Sequence, residues 1–303
     1  MYKKIISGVK HSISAQTTIG IGETEKLSLR VSTAVLAHVV FTDPATGESF
    51  AVLERKAKVN TGKNKKDIQA QPLGGGSRLK SPQILLNNIG EFNYDNKDSR
   101  DNGDFRVYIA PAKWALTKKF CLDNFREQSG IIETSVEREL AEEFLDALGV
   151  KYDENAITSE LFTKLRSALE ISDTDHSPLF TITNIGTEVE SESPFATTGP
   201  LRSTKLGMEG ISTQRVYNIQ HVAITHPNLI AKIKTASSKT NEDILTEAER
   251  NAARSSKGEG KATSLLIVPQ AKLEETYKNT EGRAVIDGHV IADNVPPTIR
   301  YKR

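Results

Sequence analysis

Arg138-Glu139-Leu140-Ala141-Glu142-Glu143 decides how this chain is read, and it lies inside the strongest helical pattern of the sequence, residues 133–148. Val136, Leu140, Phe144, Leu145 and Leu148 recur at helical spacing as one apolar stripe. Thr134 or Ser135 can cap its start, and Gly149 stops it. On such a helix Glu139, Glu142 and Glu143 stand at i, i+3 and i+4, so they share a face with roughly 5–6 Å between neighbours. Three like charges there destabilise the helix unless a positive group offsets them. Arg138 is the adjacent residue and points away by about a hundred degrees. The pattern therefore predicts a divalent cation as counter-charge, because Mg²⁺ prefers carboxylate oxygens and shares them with substrate phosphates. The bland alternative is a solvated, Glu-rich helix face.

Upstream, Lys26–Val31 alternates as a first strand, and 32–41 is a nearly continuous apolar, β-branched run that reads as a buried one. Asp43-Pro-Ala-Thr-Gly47 is turn chemistry, and 48–55 reads as the returning strand of a hairpin. A basic loop at 56–66 carries Lys56, Lys58, Lys63, Lys65 and Lys66, either a solvated tip or a phosphate-attracting patch. Pro72-Leu73-Gly74-Gly75-Gly76 then calls for a turn with unusual dihedrals or for close approach of another group. Residues 80–105, rich in Asn, Asp and Gly, read as a long excursion with little regular structure. Residues 105–110 and 118–122 read as short strands.

Downstream, helices are expected at 159–169, 228–235 and 241–255, and strands at 179–185, 213–225 and 262–269. Residues 186–210 read as an active-site-type loop or a long-tipped hairpin. The segment 276–303 is polar, carries Pro296-Pro297 and reads as an extended arm or partly disordered tail. Among other chemistry-bearing residues, His221 and His226 are wrongly spaced for a zinc pair or a catalytic couple. Asp173, Asp175 and His176 fit a turn better than a site, and Cys121 fits a small buried apolar residue. No Walker-type Gly-Lys-Ser/Thr loop is present.

With the glycine run and the hairpin before it, the hexapeptide resembles the Nudix hydrolases. Their box reads Gly, five residues, Glu, seven residues, then Arg-Glu-U-x-Glu-Glu-x-Gly-U, where U is a bulky aliphatic residue. Residues 138–143 match its Arg-Glu-U-x-Glu-Glu part throughout, and residues 72–76 look like its opening glycine turn. Between Gly75 and Arg138 stand 62 residues where the pattern has 13, an insertion of 49. The box glutamate falls on Gly130; Glu133 is the nearest substitute, three residues closer to the arginine. The glycine after the glutamate pair is Leu145 here.

The resemblance implies an α/β fold, a Nudix-like α/β/α sandwich with a mixed sheet, a large insertion and extended termini. Residues 1–31 would form an N-terminal extension, 32–275 the Nudix-like domain with the insertion at approximately 78–128, and 276–303 a C-terminal tail. It implies metal-dependent hydrolysis of a phosphoanhydride bond in a nucleoside diphosphate derivative. Glu139, Glu142 and Glu143 would hold Mg²⁺ or Mn²⁺, Glu139 would also help activate water, and Arg138 would orient a carboxylate such as Glu133. Gly74, Gly75 and Gly76 with Lys63, Lys65 and Lys66 would meet the substrate, and a further base would come from Glu188, Glu190, Glu192 or Glu209. The alternatives are an inactive relative that binds a nucleotide or RNA, and an assembly protein that meets a second copy through the insertion or the tail.

Composition is compatible with each of these. The 40 Lys+Arg against 39 Asp+Glu leave no global field for a polyanion, although local charge of both signs is dense. One cysteine excludes a disulfide framework and a cysteine-rich zinc site. No run approaches the roughly 18 apolar residues of a membrane span, and the start lacks a signal-peptide pattern, so a cytoplasmic protein is expected.

Overall fold

The computed structural model of the chain describes residues 27–59, 66–153, 156–192, 212–237, 265–279, 284–291 and 295. Its spine is β1 (Leu29–Thr42), a single 14-residue strand where two were expected. The inward phase Leu29, Val31, Thr33, Val35, Ala37, Val39 and Phe41 runs unbroken across the anticipated boundary, and all seven are buried. The first three residues of β1 therefore belong to the body of the fold rather than to an N-terminal extension.

One edge of β1 takes β8 (Ser212–Ile224) in parallel over Leu29–Val40. The other edge is shared in succession by three antiparallel partners: β6 (Arg106–Ile109), β4 (Leu73–Gly76) and β2 (Ser49–Val59). The expected hairpin holds, with Val39 opposite Val52 and Thr42 opposite Ser49. β3 (Lys66–Gln71) pairs the far half of β2, and Pro72, which cannot donate to a ladder, separates it from β4. β5 (Asn93–Tyr94) pairs β6, β7 (Phe180–Glu192) pairs β8 and β9 (Leu265–Pro269) pairs β2. β10 (Val285–Ile286) and β11 (His289–Ile291) form a small hairpin, and β11 adds in parallel to β3. The sheet is thus mixed, with eleven strands among the described residues.

Both faces of the sheet carry helices. Val31, Val35, Val39, Val52, Val216 and Val222 share a core with α1 (Pro82–Ile89), α3 (Trp114–Glu127), α4 (Glu137–Ala147), α5 (Thr158–Ala168) and α6 (Pro227–Ser237). The neighbouring residues of β2, Ala51 and Leu53, point the other way and pack with Val268, Ile286, Ile291 and Leu273 of α7 (Gln270–Asn279). This alternation is the period of two of a strand covered on both sides. Among the described residues no helix is long and apolar enough to cross a membrane.

Several expectations need correction. Residues 80–105 are not an unstructured excursion: they form α1, β5 and α2 (Lys97–Asn102), whose start Asn96 caps by accepting the Ser99 N–H at 2.7 Å. Asn and Asp here supply caps and turns rather than disorder. Residues 118–122 lie in α3, where Phe120, Cys121, Asn124 and Phe125 repeat at helical spacing and are buried. The tail is not a loose arm in its described part, because Ala284, Ile286, Val290, Ile291 and Val295 are buried. β7 extends into the anticipated 186–210 loop as far as Glu192, and β8 begins just after it at Ser212; the loop's remainder and the helix expected at 241–255 lie outside the described residues.

The glycine run is strand rather than turn. Its need for glycine comes from close approach and, at Gly74, from a φ of +127°. A Cβ there would overlap the Val35 carbonyl oxygen across the ladder. Gly74→Ala should therefore cost at least about 2 kcal/mol of stability, read as a lower urea midpoint at unchanged m-value. The same substitution at Gly47, with nothing within 4 Å, meets only the strain of its own φ of +71° and should cost less.

Candidate functional site

α4 forms from strong helix formers, with Glu137 and Glu139 in the positive first turn. Ser135 accepts the Glu137 N–H at 3.2 Å, and Gly149, at φ +71°, lets the chain leave. Leu140, Phe144 and Leu145 are fully buried on its inner side, each contributing roughly 1.5–3 kcal/mol. That anchoring fixes the position of the acidic residues.

The positive group that the glutamates require is Arg138 itself. Its long side chain folds back beneath the helix start, where it is only 6% exposed. Nε and one terminal nitrogen donate to the two oxygens of Glu133, both at 2.8 Å, as a bidentate fork. The same terminal nitrogen reaches Glu139 at 2.6 Å, and the other reaches Glu142 at 3.0 Å. The expectation that Arg138 points away considered the Cα–Cβ direction alone; four rotatable bonds carry the guanidinium around. Burial disfavours its charge, yet the hydrogen bond to Glu133 and the charges of Glu139, Glu133 and Glu142 outweigh this and raise its pKa.

Glu139 lies between this guanidinium and the glycine strand. A Cβ on Gly75 would overlap its carboxylate, so a side chain there would force Glu139 to shift from its place against Arg138. Burial first, then the charges of Glu142 and Glu133, lift its pKa to about 7 despite Arg138. The negative field extends along the helix: after burial, Asp146, Glu142 and Glu143 raise the Tyr152 phenol.

Glu133 reaches this position because the excursion between Leu79 and Ile132 is pinched at its base. Leu79 and Ile132 form an antiparallel bridge, flanked by Lys80 N–H to the Ile131 carbonyl (2.9 Å) and Glu133 N–H to the Arg78 carbonyl (2.8 Å). The Arg78 N–H also donates to the Glu133 carboxylate at 3.2 Å. The chain leaves the glycine strand, makes its excursion and returns to the place it left. From β8, Asn218 and Gln220 donate to the Thr134 carbonyl, and Gln220 accepts the Val136 N–H. These two went unnoticed in the sequence, although polar residues on the inward phase between Val216 and Val222 are a readable signal.

The predicted residues divide accordingly. Glu133, Arg138, Glu139 and Glu142 are in direct contact, Gly75 abuts Glu139, Gly74 abuts Val35, and Gly76 faces Arg106, whose nearest nitrogen would stand 2.8 Å from an added Cβ. Glu143 is on the same helix and is half-buried. Lys63 and Lys65 lie outside the described residues, Lys66 is described only as the first backbone position of β3, and Glu209 lies outside as well. Among the described residues no three His, Cys, Asp or Glu side chains converge as a metal-holding group.

A cleft of about 420 Å³ opens beside the Arg138–Glu133 pair, between the insertion's base and the starts of α4 and α5. A larger one, about 510 Å³, lies at Glu170–Pro178 and Thr225–Asn228. In it His226 accepts the Asn228 N–H on Nδ1 and meets Asp175 through Nε2 at 3.2 Å, so both ring nitrogens serve the start of α6. The smaller cleft is the one with chemistry beside it. Comparison of the chain with models of protein families, with curated proteins and with solved structures finds no match.

Two predictions follow from the buried charges. Arg138→Ala leaves carboxylates without their cation and should cost about 3–5 kcal/mol, measured by denaturant unfolding. Glu139, with its folded pKa raised to about 7 from 4.5, holds its proton longer folded than unfolded. Stability should therefore fall as pH rises between these values and level off above about 7, and Glu139→Gln should flatten that slope. Urea midpoints measured from pH 4 to 9 test the sign.

Proposed function

We propose that the chain is a divalent-metal-dependent hydrolase of a phosphoanhydride bond in a nucleoside diphosphate derivative, on a Nudix-type α/β/α sandwich. The observation that carries this reading is the seating of Glu139 on Gly75, with Glu142 one turn on and Arg138 forked on Glu133. The pinched insertion supports it, because it returns a carboxylate to the arginine that the box pattern pairs with one.

Carboxylate oxygens are the donors a hard cation takes, although among the described residues no three of these side chains converge as they stand. Arg138 takes one oxygen from each of Glu139 and Glu142, and the surplus negative charge registers on Glu139 and Tyr152. Glu139, Glu142 and Glu143 would hold Mg²⁺ or Mn²⁺, which supplies Lewis acidity toward phosphoryl oxygens and lowers the pKa of water. The chain's own groups do the rest. Arg138 fixes the rotamers of Glu139 and Glu142, Glu133 fixes Arg138, and Gly75 keeps the approach to Glu139 free of a side chain. A Glu139 oxygen left free by the cation would be placed to accept a proton from an attacking water.

A second reading, an inactive relative that binds a nucleotide, rests on the altered ends of the box, where Gly130 stands at the glutamate position and Leu145 at the glycine position. Glu142→Gln or Glu143→Gln should abolish Mg²⁺-dependent release of phosphate-containing product from ADP-linked substrates. Turnover at the wild-type rate in both variants removes these residues from the mechanism. Stabilisation by ADP without any added effect of Mg²⁺, seen as a Tm shift, selects the inactive relative.

A further inference from the structure

We infer that the cleft at the base of the insertion is a phosphoryl-binding site whose cations are Arg78 and Lys80. Its volume of about 420 Å³ falls within the usual size of ligand sites. Arg78 and Lys80 come from the segment that leads into the insertion, Gly130 and Ile132 from the segment that leads out, Ser135 from just before α4 and Thr158 from the start of α5. The cleft therefore exists only because the insertion closes on itself.

Neither cation is locked in a short ion pair among the described residues, although the charge of Arg78 also acts on the Asp104 carboxyl opposite it. Arg78 is half-buried and Lys80 exposed, and among the described residues neither side chain forms an ion pair. The nearby carboxylate of Glu133 is already committed to both donors of the Arg138 fork, and that of Glu137 accepts the Ser135 hydroxyl at 3.1 Å. Lys80 lies over the returning segment: a Cβ on Gly130 would stand 3.3 Å from its Nζ. Gly130, at φ +71°, thus lets the ammonium settle against the backbone at the cleft. Two cations without an ion pair among the described residues, with the hydroxyl of Thr158 beside them, match a phosphoryl group, which accepts several charge-assisted hydrogen bonds at once.

That this group belongs to the hydrolase's substrate rests on the proposed function; the cleft's affinity for it does not. The inference moves phosphate recognition from Lys63, Lys65 and Lys66 to the insertion's base and gives the insertion a role in choosing the ligand.

The test is calorimetric titration of the full chain with inorganic pyrophosphate in metal-free buffer containing EDTA. Binding should weaken as NaCl rises. Arg78→Gln with Lys80→Gln should lower the affinity at least tenfold, whereas Lys119→Gln with Arg126→Gln, matched in charge on exposed α3, should leave it unchanged. Lys80→Glu alone, at an exposed position, repeats the loss with the least burden on folding. Displacement of pyrophosphate by ADP but not by adenosine assigns the group to a nucleotide, and failure of ADP to compete assigns it to free phosphate; both keep the cleft as the site. Absence of wild-type binding, or equal affinity in the double variant, overturns the inference. Since no metal is present, loss or survival of Mg²⁺-dependent turnover does not alter the result.

Discussion

A guanidinium buried among three carboxylates is the constraint around which this molecule is arranged. Taking Arg138 out of water costs several kcal/mol unless its donors are satisfied, and each partner that satisfies them arrives by a different route. Glu133 comes from the end of the insertion, Glu139 and Glu142 from successive turns of α4, and the loop between is held by Asn218 and Gln220 of β8. The glycine strand completes the enclosure by leaving room for Glu139 where a Cβ on Gly75 would overlap its carboxylate. Sheet, helix and insertion therefore meet at one ion.

The excursion between Leu79 and Ile132 can be this long because its closure is cheap and its interior is packed. Loop-closure entropy grows only with the logarithm of length, and the Leu79–Ile132 bridge sets the ends together. Beyond that bridge Leu85, Ile89, Phe105, Phe120 and Phe125 join the main core rather than forming a separate one. β6 extends the sheet along the first residues of β1. An excursion built in this way stiffens the loop before α4 instead of loosening it.

What could be read from the sequence follows the range of the physics involved. The β1–β2 hairpin, α4 and α5 were legible because local periodicity and turn chemistry specify them. The Glu trio was legible as a shared face. The role of Arg138 was not, since a long side chain can turn back on its own helix while residue spacing reports only the direction in which it starts. Asn87, Asn96 and their neighbours suggested irregular chain, yet the short helices there depend on burying Leu85 and Ile89 against a core that the local sequence does not reveal. The bridge between Arg78–Lys80 and Ile131–Glu133 joins residues some fifty positions apart, and no local pattern announces it.

The acidic face has more than one positive ligand to accommodate, and the competition among them organises its chemistry. The proton that Glu139 retains near neutrality, the fork of Arg138 and any divalent cation all draw on the same oxygens. A cation that binds there must displace the proton, so its affinity rises with pH, while Arg138, held by Glu133 on its far side, stays in place. Glu133 thereby decouples the arginine from the site it borders. Without that anchor the guanidinium could follow the carboxylates and neutralise them; with it, Arg138 satisfies part of their charge and leaves the remainder directed outward. On the proposed reading, that remainder is what a metal-bridged phosphate meets.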